Sequence, residues 1–166
     1  MKQEFTIRHA TAADVPLILQ LIRDLAEYER APGDVVATEP QLRDALFGDR
    51  RAAEVLLGFE GDHAFGFALY FFNFSTWLGR RGLYLEDLFV RPEHRGKGYG
   101  RTLLQRLAWI AQAHDCGRME WAVLDWNEPA IAFYRTLGAK PMDEWTVFRL
   151  TSEQIAELAS GNAATG

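Results

Sequence analysis

Residues 91–101 read Arg91-Pro92-Glu93-His94-Arg95-Gly96-Lys97-Gly98-Tyr99-Gly100-Arg101, between a strand-like run and a helix-like run. Three of them are glycines at alternate positions: Gly96, Gly98 and Gly100. Glycine lets the backbone turn its amides toward one point, and a helix that begins there adds the positive end of its dipole. Three side chains supply charge suited to a pyrophosphate: Arg95, Lys97 and Arg101. The stretch predicts an anion-binding loop, and a solvent-exposed basic turn is the alternative.

The sequence on either side of this loop narrows the kind of anion site. The run from Gly82 to Val90 is typical of a strand, and Tyr99 to His114 has apolar residues at helical spacing. The dinucleotide fingerprint G-x-G-x-x-G is not matched, because Gly98 and Gly100 are followed by Leu103. The pattern G-x-x-x-x-G-K-S/T is absent too. The loop therefore does not predict either of these two nucleotide sites.

Apolar periodicity and turn residues divide the rest of the chain into strands and helices. Predicted strands cover 5–9, 53–60, 64–74, 82–90, 119–124 and 145–150. Predicted helices follow Thr11, Thr38 and Asn127, and cover 99–114 and 153–159. This order predicts an α/β fold in one domain over residues 1–160, with a mixed, mostly antiparallel central sheet flanked by helices. Residues 161–166 are small and polar, which predicts a flexible C-terminal tail.

Composition and charge restrict the class of protein. The 166 residues include 18 Lys and Arg against 23 Asp and Glu, so the formal net charge is -5. This charge argues against sequence-independent nucleic-acid binding, which relies on basic side chains. No apolar run is long enough to span a membrane, and the N-terminus has no signal-like segment. The single cysteine, Cys116, fits a reducing compartment, and we expect a cytoplasmic protein that does not bind membranes.

Metal and covalent chemistry find no support in the sequence. The four histidines show no H-E-x-x-H or other ligand spacing: His9, His63, His94 and His114. We therefore expect no metal. A G-x-S-x-G nucleophile elbow is also absent. Direct group transfer is thus favoured over a covalent enzyme intermediate.

The loop also carries a family resemblance. Residues 95–100 resemble the Q/R-x-x-G-x-G/A signature of the GNAT family of acetyltransferases. Further pieces are similar to its spermidine/spermine N-acetyltransferase branch, the diamine acetyltransferases: LAEYE at 25–29, FALYFF at 67–72, YLEDLFV at 84–90 and WNEPAIAFYRTLGA at 126–139. The resemblance implies a GNAT fold, acetyl-CoA as cosubstrate and a homodimer.

The resemblance also implies where coenzyme A binds. The predicted strand before the loop contributes Leu88, Phe89 and Val90. The loop itself contributes Arg95, Gly96, Lys97, Gly98, Tyr99, Gly100 and Arg101. The start of a later helix contributes Asn127, Pro129 and Ala130. GNAT proteins typically hold the reaction's oxyanion with a backbone amide where this strand leaves its neighbour, which implies that role for an amide within residues 88–90.

Acetyl transfer to an amine needs a base and an acid, and two residues suit these roles. An alkylammonium has a pKa of about 10.4, so a base must expose its lone pair near neutrality. Glu86 interrupts an apolar strand, and partial burial in a cleft would improve it as a base. A strand-end carboxylate that pairs with a cation is the alternative. In diamine acetyltransferases the glutamate at this matching position contacts the substrate amine.

The proton donor is implied by the resemblance. Periodicity alone would place Tyr134 in the core, but the family match implies that it protonates the coenzyme thiolate. A phenol with a pKa of about 10 can donate to a thiolate whose thiol has a pKa of about 8.5. Tyr134 is therefore the candidate general acid.

The acceptor side is implied in the same way. Tyr28 and Glu29 match a tyrosine-glutamate pair of the polyamine-binding branch, and Trp77 matches an aromatic near the same cleft. Carboxylates and aromatic faces both attract ammonium groups. As alternatives, Tyr28 could extend the apolar stripe of the first helix and Trp77 could be a surface aromatic. Glu120 and Glu144 are weaker candidates.

These observations predict an acetyl-CoA-dependent N-acetyltransferase. Its acceptor would be the primary amine of a small molecule, polyamine or diamine-like. Two alternatives stay open: acetylation of thialysine-like or lysine-like amino acids, and a non-catalytic regulatory module that binds acyl-CoA. No nucleic-acid partner is expected.

Overall fold

The structure is a computed structural model, and it describes residues 4–161. The chain divides into two compact units, and the boundary falls between Leu124 and Asp125. From residue 162 onward, the predicted C-terminal tail lies outside the described residues. None of the described helices combines the length and the apolar composition that a membrane crossing requires.

The first unit contains a five-stranded sheet. Its strands are β1 (Phe5–His9), β2 (Glu54–Glu60), β3 (His63–Ser75), β4 (Arg80–Val90) and β5 (Arg118–Trp121). Its α-helices are α1 (Val15–Tyr28), α2 (Glu39–Phe47) and α3 (Tyr99–Ala113). The strands pair in the order β1-β2-β3-β4-β5, antiparallel except for the parallel pair β4 and β5. The predicted α/β class with a mixed, mostly antiparallel sheet is confirmed.

Local sequence signals explain how two of these elements are bounded. Thr38 Oγ1 accepts a hydrogen bond from the backbone amide of Gln41 at 3.4 Å, and the Thr38 amide donates to Gln41 Oε1 at 2.9 Å. This reciprocal capping box begins α2, as predicted. Between β2 and β3, Gly61 has a φ of 59° in the left-handed region that glycine tolerates, and it closes a tight turn.

Helices cover both faces of the sheet. On one face, α1 and α2 form an apolar cluster with three strands: Ile18, Leu21, Leu25, Leu46, Val55, Leu57, Phe67 and Phe89. On the other face lies α3, where His114 at its end is 4.8 Å from the Phe72 ring. We call these the α1 face and the α3 face. Successive residues of a strand alternate between the two faces.

The second unit contains two α-helices among its described residues, α4 (Glu128–Thr136) and α5 (Ser152–Ala159). The predicted C-terminal helix is therefore confirmed. The predicted strand 145–150 is wrong, because these residues form no strand and their side chains are exposed. Their alternating pattern favours a strand, but a strand needs a partner for its backbone groups. The described part of the second unit offers no other strand.

One strand of the first unit is also shorter than predicted. The prediction for β5 covered 119–124, whereas the strand ends at Trp121. The three residues that follow have no strand partner in the described sheet. Apolar residues alone do not reveal this end, because pairing with β4 sets it.

Candidate active site

The glycine-rich loop between β4 and α3 has the backbone that the sequence predicts. Gly96 and Gly98 have φ angles of 77° and 83°, in the left-handed region. A Cβ added to either residue would meet no atom within 4 Å, so conformation and not crowding requires glycine there. Gly98 directly precedes α3 and has no side chain with which to cap it. The first amides of α3 thus open toward the loop, as an anion site requires.

Two of the three basic side chains in this loop are held by neighbouring acceptors. Arg95 Nε donates to the carbonyl oxygen of Val90 at 2.9 Å, and its guanidinium lies 4.4 Å from the centre of the Tyr28 ring. Lys97 Nζ donates to both carboxylate oxygens of Glu60 at 2.9 Å. Arg101 is exposed in the first turn of α3. Arg95 and Lys97 therefore already have partners within the protein.

Glu60, at the end of β2, was not predicted to belong to this site. Besides Lys97, its carboxylate lies 2.7 Å from His94 Nδ1. Hydrogen bonds, first from Lys97 and then from His94 and Tyr99, lower the pKa of Glu60 although burial opposes them. No local sequence pattern links residue 60 to residues 94–99, because the contact depends on the sheet.

An extra residue in β4 shapes the acceptor side. Leu69 pairs with Asp87 and the next residue, Tyr70, pairs with Leu85, so Glu86 has no partner on β3. This arrangement is a β-bulge, which often re-aims side chains next to active sites. The pairing of β4 with β5 ends at Leu85 and Trp121. From Glu86 to Val90, β4 therefore has no pairing with β5, and the predicted oxyanion amide within 88–90 lies in this segment.

The bulge changes which carboxylate is enclosed. Cross-strand partners share a face, so Asp87 lies with Leu69 on the α1 face, next to the row of Phe67 and Phe89. Burial raises the pKa of Asp87 to about 6, and the charges of Glu86 and Glu29 add to the rise. Glu86 itself is exposed. The enclosure that the sequence led us to expect for Glu86 is found instead at Asp87.

Two acceptor residues named from the sequence lie near Asp87. Tyr28 ends α1, and its ring centre is 6.4 Å from that of Phe89. Glu29 follows it, and partial burial raises its pKa. The charge of Glu29 also acts on Asp87. Three carboxylates and an aromatic ring thus meet on the α1 face: Glu29, Glu86, Asp87 and Tyr28.

Trp77 is not part of that group within one chain. It is 88% exposed in the turn that joins β3 to β4. Asp87 lies toward the opposite end of β4, roughly 20 Å away at about 3.3 Å per residue. Glu120 is closer to the group, because it pairs with Tyr84 across the sheet.

The remaining predicted residues belong to the second unit. Asn127 caps α4, where its Oδ1 accepts a hydrogen bond from the Ala130 amide at 3.4 Å, and Pro129 lies in the first turn. Tyr134 is half-buried on α4, with its ring centre 5.6 Å from that of Phe133. Glu144 is exposed between the helices. The predicted capping role of Asn127 is confirmed, whereas the coenzyme and proton-transfer roles stay predictions.

Among residues 4–161, His, Cys, Asp and Glu side chains do not gather into a group of three or more that could hold a metal ion.

Similarity to known proteins agrees with these features. The family model described as Acetyltransferase (GNAT) family matches residues 18–139. A thialysine N-epsilon-acetyltransferase of Sus scrofa is 40% identical, over 92% of this chain and 96% of that protein. A spermidine/spermine N(1)-acetyltransferase-like protein 1 of Homo sapiens is 34% identical, over 93% of this chain and 24% of that protein. An integron cassette protein from the mobile metagenome of V. cholerae has a TM-score of 0.78 at 30% identity, over 93% of this chain and 97% of that one.

Proposed function

The chain belongs to the GNAT family of acetyltransferases, and from this membership we propose that it acetylates the side-chain amine of a lysine-like diamino acid. At the general level it is an enzyme, an N-acetyltransferase that acts on amines. The finer proposal concerns the acceptor, the residues that bind it and the proton transfers.

The observation that carries the proposal is the group of carboxylates at the β4 bulge. Asp87 is the most enclosed of the three, and the charges of Glu86 and Glu29 add to the rise in its pKa that burial causes, so a cation is favoured among them. An ammonium group bound there would offset the repulsion between Asp87, Glu29 and Glu86. In a partly buried site this attraction is stronger than in water. We assign cation binding to Asp87 and Glu29, with the Tyr28 ring beside them.

Glu86 is assigned the role of base because it is exposed next to Asp87. It takes a proton from the bound ammonium, directly or through water, and can pass it to solvent. The free amine then attacks the acetyl carbonyl carbon, a C–N bond forms in a tetrahedral intermediate, and the nitrogen of this intermediate loses its extra proton to solvent. As the intermediate collapses, the C–S bond breaks and the electron pair leaves on sulfur. Tyr134 then protonates the thiolate, a role that rests on the family resemblance.

The loop residues fit the phosphates of coenzyme A. Gly96 and Gly98 leave the space above the backbone open, and the uncapped amides of α3 face that space. Arg101 adds a charge at the first turn. Leu88 to Val90 supply the diverging strand edge for the acetyl carbonyl, and Asn127, Pro129 and Ala130 are proposed as further coenzyme contacts.

A polyamine acceptor is the second candidate. The same carboxylates suit a chain with several ammonium groups, and the human relative named above carries spermidine and spermine in its name. The two candidates differ in one feature, since an amino acid has a carboxylate that a polyamine lacks.

The proposal also covers location and assembly. We place the enzyme in the cytoplasm because its one cysteine, Cys116, forms no disulfide within the chain. A homodimer is proposed from the family resemblance alone. Light scattering at several protein concentrations would test it, and a mass of 18.8 kDa at all of them would contradict it.

The central experiment follows thiol release from acetyl-CoA with thialysine, lysine, ornithine, spermidine, spermine and putrescine, against a control without amine. The proposal expects the highest kcat/KM with a diamino acid. Preference for the polyamines would support the second candidate. Coenzyme binding without thiol release for any amine would contradict an enzymatic role with these acceptors and favour the regulatory module.

The proton donor needs a separate variant. Tyr134→Phe should lower kcat about a hundredfold, within the usual range for losing a general acid, and leave the Kd for coenzyme A nearly unchanged. Normal turnover would remove Tyr134 from this role. Phe133→Leu is the matched control on the same helix.

A further inference from the structure

We propose that Arg118 and Glu120 on β5 form a subsite for the α-carboxylate and α-ammonium of the acceptor, so that the enzyme selects diamino acids over simple diamines. The inference rests on the proposed function and deepens it. It names the residues that would bind the end of the acceptor that lies away from the reacting amine.

Strand register places this subsite on the same face as the acceptor carboxylates. Along β3, alternation puts Leu69, Phe71 and Asn73 on the α1 face. Leu69 pairs with Asp87, and Phe71 pairs with Tyr84, which in turn pairs with Glu120. Cross-strand partners share a face, so one surface runs from Asp87 past Tyr84 to β5.

The next row of the same face contains the basic side chain. Asn73 pairs with Gly82, and Gly82 pairs with Arg118. Because Gly82 has no side chain, the groups on either side of it can approach one another. A Cβ on Gly82 would lie 2.3 Å from Asn73 Oδ1 and 3.5 Å from Arg118 Cγ. A larger residue at position 82 would therefore separate Asn73 from Arg118.

An aromatic platform lies between the two ends of this surface. The rings of Phe71 and Tyr84 stack with centroids 5.2 Å apart and planes inclined by 29°. Burial raises the pKa of Tyr84, and the charges of Glu86 and Glu120 raise it further. Glu86 and Glu120 thus both act on Tyr84, one from the reacting end and one from the β5 end. Such a platform suits the methylene chain of a lysine-like acceptor.

The polar groups at the β5 end match an amino acid in charge. Arg118 Nε donates to Glu120 Oε1 at 2.8 Å, and both side chains remain about two-fifths exposed, at 43% and 36%. A zwitterion can bind such an ion pair with its carboxylate on Arg118 and its ammonium on Glu120. Nearby, Asn73 Oδ1 is buried without a hydrogen-bond partner among the described residues. A buried acceptor of this kind gains from a donor, which an ammonium group supplies.

The spacing fits a lysine-like chain. Asp87 and the row of Gly82 and Arg118 align with Leu69 and Asn73, four β3 residues apart or roughly 13 Å at about 3.3 Å per residue, and the row of Tyr84 and Glu120 lies halfway between them. The side-chain nitrogen of extended lysine lies roughly 6 Å from the α-carbon, since bonded atoms are about 1.5 Å apart. A hydrogen bond of about 2.9 Å at each end brings the reach to roughly 12 Å, close to this span.

Three acceptors that differ by one group each can test the subsite. Lysine carries both head groups, cadaverine lacks the carboxylate, and 6-aminohexanoate lacks the α-ammonium. Steady-state KM and kcat for each would be measured with the wild type, Arg118→Gln and Glu120→Gln. Arg106→Gln, an exposed arginine of α3 on the opposite face, is the control for loss of one positive charge.

The proposal expects a crossed pattern. Arg118→Gln should raise KM about tenfold for lysine and 6-aminohexanoate but not for cadaverine, as for loss of a hydrogen bond between charged groups. Glu120→Gln should raise KM for lysine and cadaverine but not for 6-aminohexanoate. The acceptor that is unaffected in each case also shows that the variant is folded. Arg106→Gln should change none of the three.

Two results would overturn the inference in different ways. Equal changes for all three acceptors, or none, would refute the subsite and leave the proposed acetyltransferase intact. No turnover of any of them by the wild type would refute both the subsite and the proposed acceptor class.

Discussion

Glu60 and Asp87 are both carboxylates of the central sheet, and their surroundings shift their pKa values in opposite directions. Glu60 lies with His94, Lys97 and Tyr99 at the glycine-rich loop, the first cluster, and Asp87 lies with Glu29 and Glu86 at the β4 bulge, the second cluster. Lys97, His94 and Tyr99 hydrogen-bond to Glu60 and lower its pKa. Burial raises the pKa of Asp87 to about 6, and the two charges that act on it are also negative. The negative charge of Glu60 is balanced by cationic neighbours within the protein, whereas we propose that the negative charge around Asp87 is balanced by the ammonium group of the acceptor. The difference suits the proposed assignment, in which backbone amides bind the anion and side chains bind the amine.

The largest effect should follow from loss of the enclosed carboxylate. Asp87→Asn should lower kcat/KM for the preferred amine about a hundredfold, because truncating one partner of a buried charge pair costs about 2–5 kcal/mol. The Kd for coenzyme A should stay within twofold. Asp62→Asn, in the exposed β2–β3 turn, is the control. An equal loss of coenzyme affinity would contradict the assignment of Asp87 to amine binding alone.

The same carboxylate should affect stability in a pH-dependent way. Its folded-state pKa of about 6 exceeds the unfolded value, so the folded protein holds the proton more tightly and loses stability as pH rises from about 4 to 6. Asp87→Asn removes this loss. Its advantage in unfolding free energy should grow by about 2 kcal/mol between pH 4 and pH 7.5, measured by urea unfolding. An advantage that is constant with pH would show that the carboxyl is not destabilised in the folded state.

Glu86→Gln should separate the base from the cation-binding groups. We expect kcat/KM to fall about tenfold near pH 6.5 and much less at pH 9, because the fraction of free amine rises toward its pKa of about 10.4. The pH–rate profile between pH 6 and 10 measures this. A profile parallel to that of the wild type would exclude Glu86 as the base.

The coenzyme side can be probed through its backbone. Gly98→Ala places a side chain at a φ of 83° and should raise the Kd for coenzyme A about fivefold, since left-handed backbone costs about 1–2 kcal/mol for other residues. Gly100→Ala is matched to it, because its Cβ would meet only Val90 Cγ2 at 4.0 Å in the first turn of α3. Calorimetric titration should find Gly100→Ala near wild type. Equal effects would mean that crowding and not conformation sets the loop.

The smallest effect should come from Lys97. Its ammonium already pairs with Glu60, so Lys97→Gln should raise the Kd for coenzyme A by no more than about threefold, as for an exposed ion pair. A tenfold rise that disappears at high salt would show that Lys97 leaves Glu60 for a phosphate. The charge of Lys97 would then be neutralised by a ligand, as we propose for the charge of Asp87.

Much of the fold can be read from local patterns. The capping box at Thr38 and Gln41, the turn at Gly61 and the apolar run of β4 each depend on neighbours within a few residues. The strand predicted at 145–150 fails because a strand also requires a partner. Alternation shows only that a residue can lie in a strand.

The site was predictable in its components but not in its geometry. The loop glycines and the segment that carries Glu86 and Asp87 are evident in the sequence. An inserted residue leaves no trace in the pattern, so the enclosed carboxylate was assigned to the wrong neighbour. The contacts of Glu60 with the loop and of Arg95 with Tyr28 join distant parts of the chain, and only tertiary structure reveals them.

The bulge at Glu86 also determines how β4 tolerates changes in length. Ahead of it, Leu83 and Leu85 pair with Phe72 and Tyr70 on the α3 face, whereas beyond it Asp87 and Phe89 lie on the α1 face. In an unbroken strand all four would share one face. Deleting Glu86 would therefore remove the bulge and leave Leu83, Leu85, Asp87 and Phe89 on their present faces, because Leu85 and Asp87 already pair with the consecutive residues Tyr70 and Leu69. A single codon lost at this position would straighten β4 and remove the proposed base while leaving Asp87 on the α1 face.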